Sequence, residues 1–411
     1  MIKKTRIHIN TNIKFYLGVL KSFIFSNNKI KFKEFRDQLQ KKLKTNNIAL
    51  TSQGRVAAYN IFKVLLNGNK KEIIISPYTL TEVVNAIEYA GGIPKYVDID
   101  LKNGLPDETK LDLIINNDTA GIVITHLFSN DENITRFKEK YCGKIKIIEN
   151  TAINFGAKTL NDRHLGTLFD FGFYSFGVMK GLCTFHGGAI YAKEDKDLKI
   201  IKENMEKNIE YPLFKSVKLV LFTFMIDIVY NKYLFNYFSY YLLQFVKKYK
   251  ISILEKMTYP GVYPKISKTK PKHYNYNFSY FFSNSGLINL DLLDKRQLNR
   301  VHNVKFYEKY LNDNLKILKT ANYNINSFLE YPILLKKNLN KEISEKLFNI
   351  GYDVRHTWYI NSVRVKNLNY KLSEFEASDK LHSYILSLPT NKYFNEEDIK
   401  IICNLINKYE K

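Results

Sequence analysis

Between residues 47 and about 200, short β-branched runs alternate with helical patterns, and this alternation limits the possible folds more than any other feature. Residues 73–76 (IIIS), 121–127 (GIVITHL), 144–149 (KIKIIE), 171–176 (FGFYSF) and 187–192 (GGAIYA) read as buried strands. Their apolar residues run almost continuously rather than alternating, so both faces of the sheet must be covered. Residues 55–66 (RVAAYNIFKVLL) and 81–90 (TEVVNAIEYA) carry apolar side chains at helical spacing. Strands separated by helices imply a mostly parallel sheet with helices on both sides. The chain has 411 residues, which suits one large domain and a smaller one. We expect a basic segment at 1–46, the large domain at 47–200, an aromatic helical insert at 201–262 and a smaller α/β domain at 263–411. The last is expected to end in a helix near Glu396–Tyr409. No internal repeat is evident.

Chemistry concentrates in residues 171–192, FGFYSFGVMKGLCTFHGGAIYA. A strand ends at Ser175-Phe176, a short loop carries Lys180, and Gly187-Gly188 opens the next strand. One lysine in a lysine-rich chain is ordinarily a surface residue. Its neighbours change the reading. A serine at a strand end can bond a phosphate, while a partly desolvated lysine amine attacks an aldehyde. Upstream, TSQGRVAA (51–58) places Gly54 and Arg55 at a helix start, where backbone N–H groups suit a phosphate.

These segments, taken in order, resemble the DegT/DnrJ-type (StrS-like) sugar aminotransferases, which have fold type I and use pyridoxal 5′-phosphate (PLP). Residues 76–100 (SPYTLTEVVNAIEYAGGIPKYVDID) carry the most specific match in length, order and spacing. THLFSN (125–130), IIENTAINFGAK (147–158), HLGTLFDFGFYSF (164–176), GYDVRHTWY (351–359) and LSLPTNKYFNEEDI (386–399) follow in family order. The resemblance implies a large domain with a mostly parallel seven-stranded sheet and a smaller C-terminal α/β domain. It implies that Lys180 is the catalytic lysine that holds PLP. Gly54, Arg55 and Ser175 fall where the family contacts the phosphate, and Leu80, Asn150 and Ile153 where it contacts the ring. His186 and Arg355 are candidate substrate or anion contacts. The family works as homodimers with the active site at the subunit interface. It moves an amino group, usually from glutamate, to a keto carbon of a nucleotide-linked sugar, for surface polysaccharides or antibiotics.

Three positions depart from that pattern. Asn150 replaces the aspartate that pairs with the protonated pyridine nitrogen; an amide can hydrogen-bond a neutral nitrogen but cannot offset a positive one. Ile153 replaces a glutamine and cannot hydrogen-bond the ring hydroxyl. Leu80 stands where many members have an aromatic ring. Three outcomes stay open on these residues: an aminotransferase with a weakened electron sink, a PLP-dependent sugar dehydratase or lyase, and a scaffold of the same fold that has lost catalysis.

The formal charge is +23. Residues 1–46 alone hold twelve Lys and Arg against Glu34 and Asp37. Such an excess points to anionic partners. Nucleic acid is disfavoured, because no zinc-finger spacing or stacking motif appears. Three scattered cysteines make neither a disulfide framework nor a metal site and fit a cytoplasmic setting. No signal peptide is expected, since Lys21 interrupts the apolar run 15–25. In the insert, the uncharged runs Leu219–Ile226 and Tyr233–Val246 fall short of the ~20 residues that span a bilayer. Aromatic and lysine flanks suit a helix lying in the headgroup region. Two placements follow: docking on an anionic inner membrane face, or burial against the body or a dimer partner.

Overall fold

In the computed structural model, residues 2–9, 11–24, 28–128, 130–249, 269–317, 322–365 and 369–410 are described. Phe25, Ser129 and residues 250–262 of the aromatic insert, all named above, lie outside them, as do residues 263–268 at the start of the smaller domain.

The large domain is a seven-stranded sheet in the order β1-β7-β6-β5-β4-β2-β3. The strands are β1 (Ile48–Thr51), β2 (Glu72–Ile75), β3 (Ile93–Tyr96), β4 (Thr119–Thr125), β5 (Ile147–Asn150), β6 (Phe171–Ser175) and β7 (Gly188–Ala192). Only β7 runs against the rest, pairing antiparallel with β1 and β6. Ile73, Ile74, Ile75, Ile122, Ile147 and Ile148 are fully buried, the double-sided coverage that their continuous apolar runs require.

The five expected strands are present, displaced by at most three residues at their ends. Two others, β1 (IALT) and β3 (IPKY), escaped the sequence reading. Pro94 argues against a central strand, and β3 is indeed an edge strand, where a missing N–H costs no ladder bond. The connections include α3 (Gly54–Leu65), α4 (Thr81–Tyr89), α5 (Glu108–Ile114) and α6 (Asp131–Tyr141). The Asp107 carboxylate caps α5 by accepting from Thr109 and Lys110 N–H, and Asn130 caps α6 by accepting from Asn133 N–H.

The C-terminal part packs helices around an antiparallel pair, β8 (Glu330–Leu334) and β9 (Ile385–Pro389). Arg355 exchanges backbone hydrogen bonds with Ser387 and so lies beside β9. The chain ends in the expected helix Glu396–Tyr409. The basic N-terminus is tied to this part. Lys4 N–H donates to Gly351 O at 2.8 Å, Arg6 sits 3.4 Å from Asp353, and Lys4 pairs with Asp398. After it, α1 (Ile13–Ile24) and α2 (Asn28–Leu43) bury Phe15, Val19, Phe35 and Leu39 in a cluster with Phe176, Phe278 and Phe282. Beyond α7 (Asp195–Glu206), the insert forms α8 (Leu213–Val229), the short α9 (Lys232–Leu234), a π-helical turn at Phe235–Ser239 and α10 (Tyr240–Lys248).

Candidate active site

Parallel α/β sheets bind ligands at the carboxyl ends of their strands. Here β1, β2, β4, β5 and β6 end on one edge, at Thr51, Ile75, Thr125, Asn150 and Ser175. The reversed strand β7 starts on that edge, with Gly188 opposite Ser175.

The start of α3 is wedged against this edge. A Cβ on Gly54 would lie 2.7 Å from Ser175 Cβ and 3.1 Å from Tyr174 O. A Cβ on Gly188 would lie 2.8 Å from Gly54 N. Glycine at both positions lets the helix start touch the strand end. Gln53 occupies the cap position without a side-chain cap, so the leading N–H groups of α3 are left for a ligand beside the half-buried Ser175.

Several buried hydroxyls follow the same strand ends. Ser52 Oγ lies after β1, Thr79 Oγ1 and Thr81 Oγ1 after β2, and Thr151 Oγ1 after β5; none has a hydrogen-bond partner among the described residues. An unmet buried polar atom costs about 1–3 kcal/mol, so four at one edge favour a polar ligand. Together with the glycine-lined helix start, they fit a phosphorylated, hydroxylated pyridine.

Lys180 follows β6 in a turn in which its N–H donates to Gly177 O. Burial of its amine, then the positive charge of Arg355, lowers the ammonium pKa from 10.5 to about 8; Glu330 opposes the shift and Arg55 adds to it. Arg355 Nε lies 3.3 Å from Glu330 Oε1, too poorly aligned for a hydrogen bond. Trp358 Nε1 donates to Glu330 Oε2 at 2.7 Å. Arg55 reaches Glu82 at 3.3 Å. One carboxylate and two guanidiniums therefore surround the amine.

A lowered lysine pKa means a neutral, nucleophilic amine above about pH 8 and a protonated one below. The rate at which the cofactor-free protein takes up PLP should thus rise roughly tenfold per pH unit below 8 and level off above it. Stopped-flow absorbance across pH 6–10 checks this. A midpoint near 10.5 would mean that the pocket does not desolvate the amine.

Asn150 is buried at the end of β5. Its amide donates to Thr125 Oγ1 at 3.3 Å, and its Oδ1 accepts Ala152 N–H at 3.2 Å. The neighbouring carboxylate cannot take its place. Glu149 is fully buried and engaged by Gly166, Leu168 and Phe169 N–H, with His126 Nε2 at 2.9 Å. Adjacent strand residues point to opposite faces, so Glu149 braces the 164–169 loop while Asn150 sits on the other side. Ile153 lines a crevice with Leu127, Glu330 and Trp358. Leu80, directly before α4, packs between the large-domain and C-terminal apolar clusters. His186 lies beside the α3 start, 3.5 Å from Gln53 Nε2 and 3.3 Å from Tyr211 OH. Burial, then Arg55, lowers its pKa to about 4, so it is neutral near pH 7.

The structure thus gathers Gly54, Arg55, Ser175, Lys180 and His186 around the α3 start, with Arg355 arriving from the C-terminal part. Sequence reasoning missed Glu330, Trp358 and the four hydroxyls. Trp358 was signalled as the single tryptophan, three residues after Arg355. Glu330 opens β8 and carries no local signal.

The model of the DegT/DnrJ/EryC1/StrS aminotransferase family matches residues 9–210 and 250–407 and passes over 211–249. A GDP-perosamine synthase of Escherichia coli O157:H7 is 28% identical over 144 residues, 35% of this chain and 39% of that one. That match spans under half of the relative's length. A UDP-4-amino-4,6-dideoxy-N-acetyl-β-L-altrosamine transaminase of Campylobacter jejuni is 22% identical over 84% of this chain and 81% of its own. The solved structure of Helicobacter pylori PseC, an aminotransferase of pseudoaminic acid biosynthesis, superposes with a TM-score of 0.71 at 15% identity, over 100% of this chain and 98% of that one. This last likeness concerns the fold, that of fold type I.

Proposed function

The chain belongs to the DegT/DnrJ/EryC1/StrS aminotransferase family, whose members depend on PLP, and on that basis we propose that it transfers an amino group to a nucleotide-linked keto-sugar. The observation that carries this reading is Lys180, a desolvated amine at the carboxyl end of β6, five residues after Ser175 and next to Arg355. When bound, PLP supplies an electron-withdrawing ring that takes up the electron pair released at the donor's α-carbon. Lys180 would hold the cofactor through its amine and, once that amine is free, would serve as the acid and base that moves the proton at the donor's α-carbon. Ser175, Gly54 and the α3 N–H groups hold the phosphate, with Arg55 adding positive charge. Leu80 would offer an apolar surface to the ring, and Asn150 would be the residue toward its pyridine nitrogen. Ile153 closes the crevice without bonding the ring hydroxyl. Arg355, steered by Glu330, takes the donor's α-carboxylate, and His186 contacts the sugar.

We further propose a cytoplasmic homodimer that uses glutamate and serves surface polysaccharide synthesis, with a lipid-linked sugar as the other acceptor class. Asn150 favours one second reading. Without a carboxylate at the pyridine nitrogen, a dehydratase or lyase acting on a similar sugar asks less of the ring.

The test supplies the PLP-loaded protein with ¹⁵N-glutamate and UDP- and dTDP-linked 4-keto-6-deoxyhexoses. The expected product is a sugar carrying ¹⁵N, seen by mass spectrometry. Loss of water from the sugar without ¹⁵N would replace this reading with the second. Arg355→Met should raise the KM for glutamate by about tenfold to a hundredfold, the worth of a charged hydrogen bond, and leave the PLP absorbance unchanged. An unchanged KM would remove Arg355 from donor binding.

A further inference from the structure

The insert that the family pattern passes over, residues 211–249, holds α8, α9, the π-helical turn and α10. Its outer helix is inverted. The positions of α8 that face the protein include Ser216, Thr223 and Asp227. Ser216 Oγ meets Ser279 Oγ at 3.0 Å, Thr223 bonds Leu219 O, and Asp227 accepts from Thr11 and Tyr16. The outward half of the same helix presents Phe214, Val217, Leu221, Phe222, Met225 and Ile228, of which Phe214 is 68% and Met225 64% exposed. Only Lys218 interrupts that face. A helix that keeps Ser216, Thr223 and Asp227 inward beside the packed Leu219, Val220 and Ile226, and still presents a run of large apolar side chains outward, has another apolar phase as its outer neighbour.

The surface continues beyond α8. Tyr233, Tyr237, Phe238, Tyr241, Leu242 and Phe245 are exposed on the rest of the hairpin. Next to it lies α1, held by Tyr16, whose ring meets Phe224 edge-on at 5.2 Å. α1 exposes Ile13, Leu17, Leu20 and Ile24 in one stripe, at i, i+4, i+7 and i+11, with Lys14 and Lys21 alongside. Large aliphatic and aromatic side chains bordered by lysines form the pattern of helices that lie in the headgroup layer. Among the described residues, no helix is long and apolar enough to cross a membrane.

We propose that α1 and the α8–α10 hairpin form a docking surface for an anionic phospholipid bilayer, with their apolar side chains entering the headgroup region and Lys14, Lys21, Lys218, Lys232 and Lys248 meeting lipid phosphates. Charge separates this occupant from a second copy of the chain. A two-fold interface sets the same patch against itself. Here that would bring lysines against lysines, because the insert's single acid from 211 to 249, Asp227, is bonded inward. An anionic surface complements every one of those charges. The hairpin also roots at the candidate site, since Tyr211 lies against His186. The proposal does not depend on amino transfer, and its test reads no activity.

The test is co-sedimentation of the full chain with vesicles. With phosphatidylglycerol–phosphatidylcholine vesicles at low salt the protein should pellet. Binding should fall about tenfold with phosphatidylcholine alone, or at high salt. Leu221→Ser, Met225→Ser and Phe238→Ser together should abolish binding to both vesicle types while circular dichroism and PLP absorbance stay unchanged. Lys218→Ala, Lys232→Ala and Lys248→Ala together should weaken binding only to the anionic vesicles. Absence of the wild-type protein from the phosphatidylglycerol pellet would overturn the proposal, as would equal binding by the apolar triple variant. A triple variant that changes the oligomeric state and leaves vesicle binding intact would reassign the face to contact between copies.

Discussion

Replacing Lys180 with alanine should lower amino transfer by at least ~10³-fold, because on the proposed reading one side chain acts twice, as the nucleophile that holds PLP and as the acid and base that moves the proton. The fold should survive. Lys180 is half-buried in a loop after β6, and removing a desolvated amine relieves a cost rather than creating one. The variant should keep its thermal midpoint within a few degrees and should lose the absorbance band of bound PLP. Lys180→Arg should not restore either property, since a guanidinium is not a nucleophile at neutral pH. A variant that keeps both the band and turnover would show that another amine holds the cofactor.

Asn150→Asp should act in the opposite direction. A carboxylate about 4 Å from a positive ring nitrogen is worth about 4 kcal/mol at an effective dielectric near 20, which is about three pKa units. The new side chain inherits the contacts that hold Asn150, accepting from Ala152 N–H and from the Thr125 hydroxyl. It should therefore raise the fraction of PLP with a protonated ring. The half-reaction with glutamate should speed up about tenfold to a hundredfold, measured as the rate at which glutamate bleaches the PLP band. A slower half-reaction, with the fold intact, would mean that the wild-type chemistry is built around a neutral ring nitrogen. That result would favour the dehydratase reading.

Much of this was legible in the sequence for identifiable reasons. The buried strands around Ile73–Ile75, Ile122–Ile124 and Phe171–Phe173 announce themselves through continuous apolar runs, because a doubly covered sheet permits nothing else. The Ser175–Lys180–Gly188 spacing was readable because one strand end, one loop and one strand start carry it. The edge strands β1 and β3 were not readable: IALT runs directly into the polar Thr51-Ser52-Gln53 of the helix start, and IPKY contains Pro94 and Lys95. Glu330 was equally hidden. Its place beside Arg355 and Trp358 comes from β8 pairing with β9, a contact between segments more than fifty residues apart. The four unpartnered hydroxyls stand at the ends of different strands, and only the sheet brings them to one edge. The inverted face of α8 could be suspected from composition, yet its direction required Ser216, Thr223 and Asp227 to be seen facing inward.

The claim beneath all of this is that Lys180 holds the cofactor, and borohydride reduction tests it most directly. The PLP-loaded protein is reduced, digested and mapped by mass spectrometry. The account predicts a single phosphopyridoxyl group on Lys180, in the peptide that follows Ser175. A label on any other lysine, or no label on a protein that has bound PLP, would contradict it.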